Sequence, residues 1–191
     1  MNFSGIPFQF IGNAVSLDLL NTQVLFEGQL VDLLAERERL AEWLQNVPQA
    51  PALDAWSEAE IKSLYTLRDS IRNVLKALAN KVQAASGDLD TLNAHLAAHC
   101  ASAKLTQTAT GFAIETSVEA VTPRDFLASV ASDVARLATQ DDTRRLKTCA
   151  HPDCVLVFHD TSKSGRRRWC SMETCGNRSK AATFRASHSQ S

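Results

Sequence analysis

Four cysteines constrain this chain more than any other feature of its sequence. They form two pairs, Cys149 with Cys154 and Cys170 with Cys175, with four residues inside each pair and fifteen residues between the pairs. Two such short loops can present four thiolates to one ion, which is the closed tetrahedral arrangement of a structural zinc site. The apolar segment 155–158 between the pairs is strand-like. We therefore predict that these four cysteines bind one zinc ion.

Other metal chemistry fits the same residues less well. The matched pairs with a hairpin between them are typical of a zinc finger and less so of an iron–sulfur cluster. His151 and His159 are candidate substitute ligands, but four cysteines already complete the coordination of zinc. A site with four sulfurs leaves no open position for water or substrate, so we expect a structural site with no catalytic role.

The segment around the cysteines has few apolar residues from which to build a core. A unit of about 40 residues with so small a core usually needs a metal to fold, and zinc binding supplies about 10–16 kcal/mol in such units. We expect this segment to unfold when the metal is removed. The residues that we predict for its core are Val155, Val157, Phe158, Trp169 and Phe184.

Charge is divided unevenly along the chain. Residues 1–143 contain 10 Lys and Arg against 18 Asp and Glu, a balance of −8, whereas residues 144–191 contain 10 against 3, a balance of +7. This contrast predicts that the basic tail meets an anionic partner. Charge alone also allows the arginines to form a solvated turn or to dock on the acidic body. The residues that we expect to contact nucleic acid are Arg166, Arg167, Arg168, Arg178, Lys180 and Arg185.

Local patterns predict a mainly α-helical body with a small β element, over residues 1–142. Ser57 with Glu60 is a capping box that begins the longest helix, and Thr122 with Pro123 begins the last one. Residues 103–118 contain two alternating segments around a Thr-Gly turn, which predicts a β-hairpin.

We also predict the structure of the first 46 residues and of the C-terminal segment. We predict a strand over 8–11 and a helix that Asp32 caps and that runs to about Asn46. Residues 143–191 are predicted to form a small zinc finger with four cysteine ligands, built from a β-hairpin and a helix in a treble-clef-like arrangement.

Two charged residues of the body lie in apolar surroundings. Arg68 falls within the apolar stripe of the long helix, and Asp18 is embedded among apolar residues. A buried charge needs a partner, so we predict an Asp18–Arg68 pair. The alternative is that Arg68 extends its guanidinium along the helix surface to solvent. In a functional version, Asp18, Asn21 and Arg68 line a small-ligand pocket.

Several classes of protein are disfavoured by what the sequence lacks. It contains no glycine-rich phosphate loop and no hydrolase or metalloprotease motif, so we do not expect an enzyme. It has no apolar run of the roughly 20 residues that span a membrane, and its first basic residue, Arg37, comes too late for a secretory signal. We expect a cytoplasmic protein, where thiols stay reduced. The fifth cysteine, Cys100, is expected to be a small buried apolar residue.

Three stretches of the tail resemble a known family. Residues 158–163, 167–172 and 175–180, the last beginning Cys175-Gly176-Asn177-Arg178, closely resemble the CGNR zinc finger. The body resembles the ABATE domain that usually precedes this finger, through residues 12–13, 17–22 and 67–72. Together the two resemblances cover nearly the whole chain.

This resemblance implies a zinc-binding, stress-responsive bacterial transcription regulator. In our leading interpretation the tail contacts DNA, while the body senses a small-molecule effector or forms a homodimer. Two alternatives belong to other classes. One is a zinc-stabilised protein-interaction module without nucleic-acid binding, and the other is a body that binds a ligand or acts as an enzyme through Asp18, Asn21 and Arg68.

Overall fold

The computed structural model describes residues 5–97, 102–108, 111–117, 122–139 and 143–188. Cys100 lies outside these residues. The described part of the chain is mainly α-helical and contains three two-stranded antiparallel sheets, which confirms the predicted fold class. Its helices are α1 (Val15–Leu20), α2 (Arg37–Asn46), α3 (Glu58–Asn80), α4 (Ser86–Leu96), α5 (Pro123–Ala138) and α6 (Asn177–His188). Its strands are β1 (Gln23–Phe26), β2 (Gln29–Asp32), β3 (Ser102–Thr108), β4 (Gly111–Ser117), β5 (Leu146–Thr148) and β6 (Val157–His159).

The chain packs as two compact units. The first combines the described residues up to Leu40 with those from Thr139 onward, and the second is Ala41–Ala138. This packing differs from the sequence division at residue 142, because the N-terminal residues share a hydrophobic core with the cysteine segment. The division into domains 1–142 and 143–191 stays a prediction. Among the described residues, no helix combines the length and the apolar character that crossing a membrane requires.

Two helices of the second unit begin at the caps that the sequence predicted. The Ser57 hydroxyl accepts the Glu60 N–H at 3.3 Å, and the Glu60 carboxylate accepts the Ser57 N–H at 2.8 Å, which starts α3. The Thr122 hydroxyl accepts the Asp125 N–H at 3.2 Å, and α5 follows from Pro123. The predicted hairpin is also confirmed, because β3 and β4 pair antiparallel along their length.

Arg68 is buried in α3, as its place in the apolar stripe predicted. Only 3% of the residue is exposed, and its guanidinium carbon lies 5.2 Å from the centre of the Tyr65 ring. Leu64, Leu67 and Ile71 on the same helix are fully buried. The predicted pair with Asp18 would join residues of different units, and it stays a prediction.

A hairpin near the N-terminus was missed by the sequence analysis. Strands β1 and β2 pair antiparallel, and the two turn residues Glu27 and Gly28 both have positive φ, 49° and 78°. This is the type I′ geometry that suits the twist of a two-residue hairpin. Val24 and Val31 are opposite each other and buried, so the hairpin presents an apolar face to the core of the first unit.

Two predictions for this region are wrong. Asp32 does not cap a helix, since it ends β2 and accepts the Leu34 N–H at 3.0 Å, and α2 begins only at Arg37. Residues 8–11 form no strand in the described structure, because they pack as an irregular segment against the core of the first unit. Arg39 holds this segment, with its guanidinium carbon 4.1 Å from the centre of the Phe8 ring.

Asn21 links the N-terminal segment to strand β6. The residue is 1% exposed, its amide nitrogen donates to the Val157 carbonyl at 2.9 Å, and its amide oxygen accepts the Val157 N–H at 2.8 Å. The carboxamide thus pairs with the strand edge as a neighbouring strand would. Strand β5 pairs with β6 along its other edge.

The turn before α1 continues this pairing along β6. The His159 N–H donates to the Gly12 carbonyl at 2.8 Å, and the Asn13 amide donates to the His159 carbonyl at 2.8 Å. Asp18 holds the turn by accepting the Gly12 N–H at 2.7 Å. A Cβ at Gly12 would lie 2.7 Å from the Leu17 Cβ, so only glycine fits. These residues of the ABATE resemblance therefore support β6.

Replacing Asn21 with Ala should destabilise the first unit by about 2–4 kcal/mol, because the part-buried N–H and carbonyl of Val157 lose their partners. Urea unfolding of the metal-loaded protein measures the change. Asn46→Ala is the matched control, since the exposed Asn46 amide donates to the Glu42 carbonyl of its own helix. Equal losses for the two variants would contradict the role of Asn21.

Candidate metal centre

The structure brings the four predicted ligands together. Their Sγ atoms all lie within 4.8 Å of one another, with 3.8 Å between Cys154 and Cys170 and 3.6 Å between Cys170 and Cys175. A tetrahedral site with metal–sulfur bonds of about 2.3 Å has sulfur–sulfur edges of about 3.8 Å. All four cysteines are free thiols, and only Cys154 is more than slightly exposed. The cluster therefore fits a single tetrahedral metal ion.

Strands β5 and β6 position the first pair of cysteines. Cys149 directly follows β5, and its N–H donates to the Leu156 carbonyl at 2.9 Å. A tight turn then returns the chain, with the Cys154 N–H donating to the His151 carbonyl at 3.1 Å. The two thiols of the pair are thus held on one side of the hairpin.

A loop and a helical turn position the second pair. The Cys170 N–H donates to the Cys149 sulfur at 3.3 Å, which joins the two pairs directly. Cys175 lies in a π-helical turn, Met172–Gly176, that Ser171 caps by accepting the Thr174 N–H. This turn leads into α6.

Neither candidate histidine belongs to the cluster. Among the described residues, the cysteines form the cluster without His151 or His159. His151 is buried, and its Nδ1 accepts the Asp153 N–H at 3.2 Å, so its side chain shapes the first cysteine loop.

The thiols cannot all ionise without a cation. Hydrogen bonding from the Cys170 thiol lowers the pKa of Cys154 to about 5. The same contact, together with burial, raises the pKa of Cys170, and burial raises the pKa of Cys149. A metal-free cluster at neutral pH would therefore hold a thiolate at Cys154 and protons on Cys149 and Cys170. A divalent ion takes the place of those protons.

Two arginines make hydrogen bonds inside the zinc finger. The Arg178 Nη2 donates to the Cys175 sulfur at 3.3 Å, and this bond raises the pKa of the Arg178 guanidinium. Arg167 lies with its guanidinium carbon 4.3 Å from the centre of the buried Phe158 ring, and it donates to the carbonyls of Trp169 and Cys170. Four thiolates with one divalent ion carry a charge of −2, which these cations partly offset.

Asp160 organises the loop that precedes the second cysteine pair, a role that was not predicted from the sequence. The carboxylate is fully buried and accepts hydrogen bonds from Lys147 Nζ at 2.7 Å, the Ser162 hydroxyl at 2.6 Å and the Arg167 N–H at 2.8 Å. Burial alone would raise the pKa of this carboxyl, but these bonds outweigh it and hold the pKa well below its ordinary value. The pattern Asp-x-Ser, typical of a side-chain-capped turn, was the available signal.

The other predicted nucleic-acid residues lie at the surface. Arg168 is exposed, with its guanidinium carbon 5.0 Å from the centre of the Trp169 ring. The Trp169 indole in turn donates to the Ser179 hydroxyl of α6 at 3.1 Å. The remaining exposed cations of the predicted set are Arg166, Arg178, Lys180 and Arg185.

The predicted core of the finger is wrong at Phe184. This residue is 64% exposed on α6. Phe158 lies in the core as predicted, but Val155 and Val157 are not among its residues. Leu156 packs there with Val24, Val31 and Leu33 of the N-terminal segment, which supply the apolar surface that the finger lacks. The predicted pocket of Asp18, Asn21 and Arg68 stays a prediction. Asp18 accepts a hydrogen bond from the Gly12 N–H, and the Asn21 amide donates one to the Val157 carbonyl.

Comparison with protein families agrees with the resemblance noted in the sequence. The CGNR zinc finger model matches residues 145–188. The ABATE model, described as "Putative stress-induced transcription regulator", matches residues 13–141. The two matches follow the predicted order, and neither family is a class of enzymes. No curated protein matches the chain.

Removing the metal should unfold the finger together with the N-terminal hairpin, because Cys149, Cys170 and Cys175 share a core with Val24 and Val31. Hydrogen exchange with and without a strong chelator measures this. We expect amide protection in β1 and β2 to fall by about a hundredfold or more, while α3 in the second unit serves as the internal control. Unchanged protection of the hairpin after chelation would contradict the shared core.

Metal binding at pH 7 should release at least two protons per ion, because Cys149 and Cys170 enter as thiols while Cys154 is already a thiolate. The affinity should therefore fall as the pH falls. Calorimetric titration of the reduced apoprotein in buffers of different ionisation enthalpy counts the protons. The Cys149→Ser variant should release fewer, and a count near zero for the wild type would contradict this ionisation scheme.

Proposed function

The chain belongs to the ABATE family, whose description is "Putative stress-induced transcription regulator", and it carries a CGNR zinc finger. We propose that it is a zinc-dependent regulator whose finger contacts DNA. The observation that carries this proposal is a closed four-sulfur site in a chain segment rich in exposed cations, one of which, Arg178, donates to a sulfur of the site. The site supplies rigidity, and the cations supply attraction to phosphate.

Zinc is the ion that best suits the cluster. Four cysteine sulfurs in tetrahedral spacing favour zinc over calcium or magnesium, which prefer oxygen ligands. The three buried cysteines and the single partly exposed one leave no position for a substrate, so the zinc has a structural role. The ion supplies the folding energy of the finger, while the residues of the chain make the external contacts.

The basic finger surface consists of the exposed residues Arg166, Arg168, Arg178, Lys180 and Arg185. Between residues 163 and 188 there are seven Lys and Arg residues against one acidic residue, Glu173. Such a local excess of positive charge suits the phosphate backbone of DNA. Arg167 was predicted to join this surface, but its bonds to Trp169 and Cys170 support a positioning role inside the finger.

The helical unit Ala41–Ala138 would serve regulation in this proposal. We assign to it the binding of a small-molecule effector or of a second copy of the chain, and we place the protein in the cytoplasm, where its thiols stay reduced. The charge contrast supports this division of labour, since the acidic residues of the chain lie mostly before residue 144.

DNA binding by the zinc-loaded protein should depend steeply on salt. If the five residues of the basic finger surface each neutralise one phosphate, the slope of log K against log salt is about −4.5. Fluorescence anisotropy with duplex DNA between 50 and 200 mM salt, about the range in which such contacts weaken strongly, measures it. Arg166→Ala should reduce the slope by about one unit.

Two controls separate the outcomes of this titration. Arg136→Ala removes an exposed cation of the second unit that bonds to Asp133, and it should leave the slope unchanged. Chelation should abolish binding. Weak binding that hardly responds to salt would overturn the proposal and favour a zinc-stabilised protein-interaction module.

A further inference from the structure

We propose that α6 is the helix that reads DNA sequence, entering the major groove with the face that contains Ala181, Phe184 and Arg185. This inference rests on the proposed DNA-binding function and goes beyond it, since the basic finger surface alone explains only phosphate contacts. Four properties of α6 carry it: exposure, anchoring, the layout of its outer face and its charge.

Most of α6 is exposed. Ser179 in its first turn is half-buried, but every residue from Lys180 to Arg185 is exposed, and Phe184 is 64% exposed. An isolated helix of about twelve residues is marginally stable in water, and a helix normally buries one apolar stripe. An exposed helix without a buried apolar stripe is typical of a helix that contacts a binding partner.

The base of α6 is held by the metal centre. Cys175 lies two residues before the helix within a π-helical turn, Arg178 donates to the sulfur of Cys175, and the Trp169 indole donates to Ser179. These contacts join the start of the helix to the cysteine cluster and to the loop that carries Arg168. A bound ion would thus fix the direction in which α6 projects.

The outer face of α6 has a small residue, Ala181, at its centre and cationic residues at its edges. On an α-helix, residues three, four and seven apart share a face. Arg178, Ala181 and Arg185 follow this spacing, Phe184 lies three residues after Ala181, and Lys180 lies four residues before Phe184 at the edge of the same face. A small residue at the centre lets the backbone approach closely, and a helix 10–12 Å wide matches a major groove about 12 Å wide.

The chemistry of this face favours DNA over a protein partner. The sequence of α6 contains no acidic residue, and Phe184 is the only large apolar residue on it. A helix that packs on a protein needs a stripe of such residues. A single aromatic side chain between cations suits contact with a thymine methyl group, while a neighbouring arginine suits a guanine edge. We therefore assign base contacts to Phe184 and Arg185, and phosphate contacts to the other four cations of the basic finger surface, so that the salt slope expected with Arg185 at a base edge is about −3.6.

The test begins with selection of duplexes from random sequence by the zinc-loaded full chain. Affinity is then measured for a selected duplex and for a scrambled one. Phe184→Ala and Arg185→Ala should each lower affinity for the selected duplex about tenfold more than for the scrambled one. Arg185→Ala should also relax the preference at one position of the selected site. Arg166→Ala, the matched control, should lower both affinities equally.

Folding of each variant is checked by its content of one zinc ion per chain. Phe184 is exposed, so its replacement removes no core residue. Equal losses on both duplexes for the α6 variants, or no loss at all, would overturn the inference while leaving the proposed function standing. Failure of the wild type to bind any duplex would overturn the proposed function, and the inference with it.

Discussion

Strand β6 has only three residues, and the first unit depends on how its two edges are satisfied. One edge pairs with β5, and the other receives the Asn21 carboxamide together with the turn at Gly12 and Asn13. Unpaired backbone groups at this depth would each cost about as much as a lost hydrogen bond. Because this pairing comes from the N-terminal segment, the structure of the finger depends on residues that precede it by more than a hundred positions. The hydrophobic core also joins the two segments, because the hairpin residues Val24 and Val31 belong to one cluster with three of the cysteines.

Predictions from sequence succeeded where the determining contacts are local. The capping pairs of α3 and α5 lie within four residues, and the cysteine spacing itself defines two loops that can meet at one ion. The hairpin of β1 and β2 was missed because its turn is Glu-Gly, a weaker signal than Asn-Gly. Asn21 was placed among candidate ligand residues, since nothing near it in the sequence indicates a partner 136 residues away. Phe184 was assigned to a core that other apolar residues fill, because the buried face of a helix is set by what packs against it.

Neighbouring arginines of the run 166–168 have different roles, so the run does not act as a single charged surface. Arg166 and Arg168 point to solvent, whereas Arg167 between them donates to backbone carbonyls beside a cysteine and covers an aromatic ring. Arg178 combines both behaviours, since it bonds to a sulfur and remains exposed. The cations that hold the metal centre and those available to a partner are therefore interleaved in the sequence.

The long separation between Asn21 and Val157 also bears on the order in which the chain acquires structure. During synthesis the N-terminal segment leaves the ribosome well before the strand that it completes, while the helical unit between them has all its residues available earlier. Contacts that are distant in sequence form slowly, because a long loop must close first, and domains generally fold as units in the order of their synthesis. The helices of the second unit can thus form while the N-terminal hairpin still exposes its apolar face. The apolar face of that hairpin therefore stays uncovered during synthesis until the cysteine segment, which completes its core, has followed.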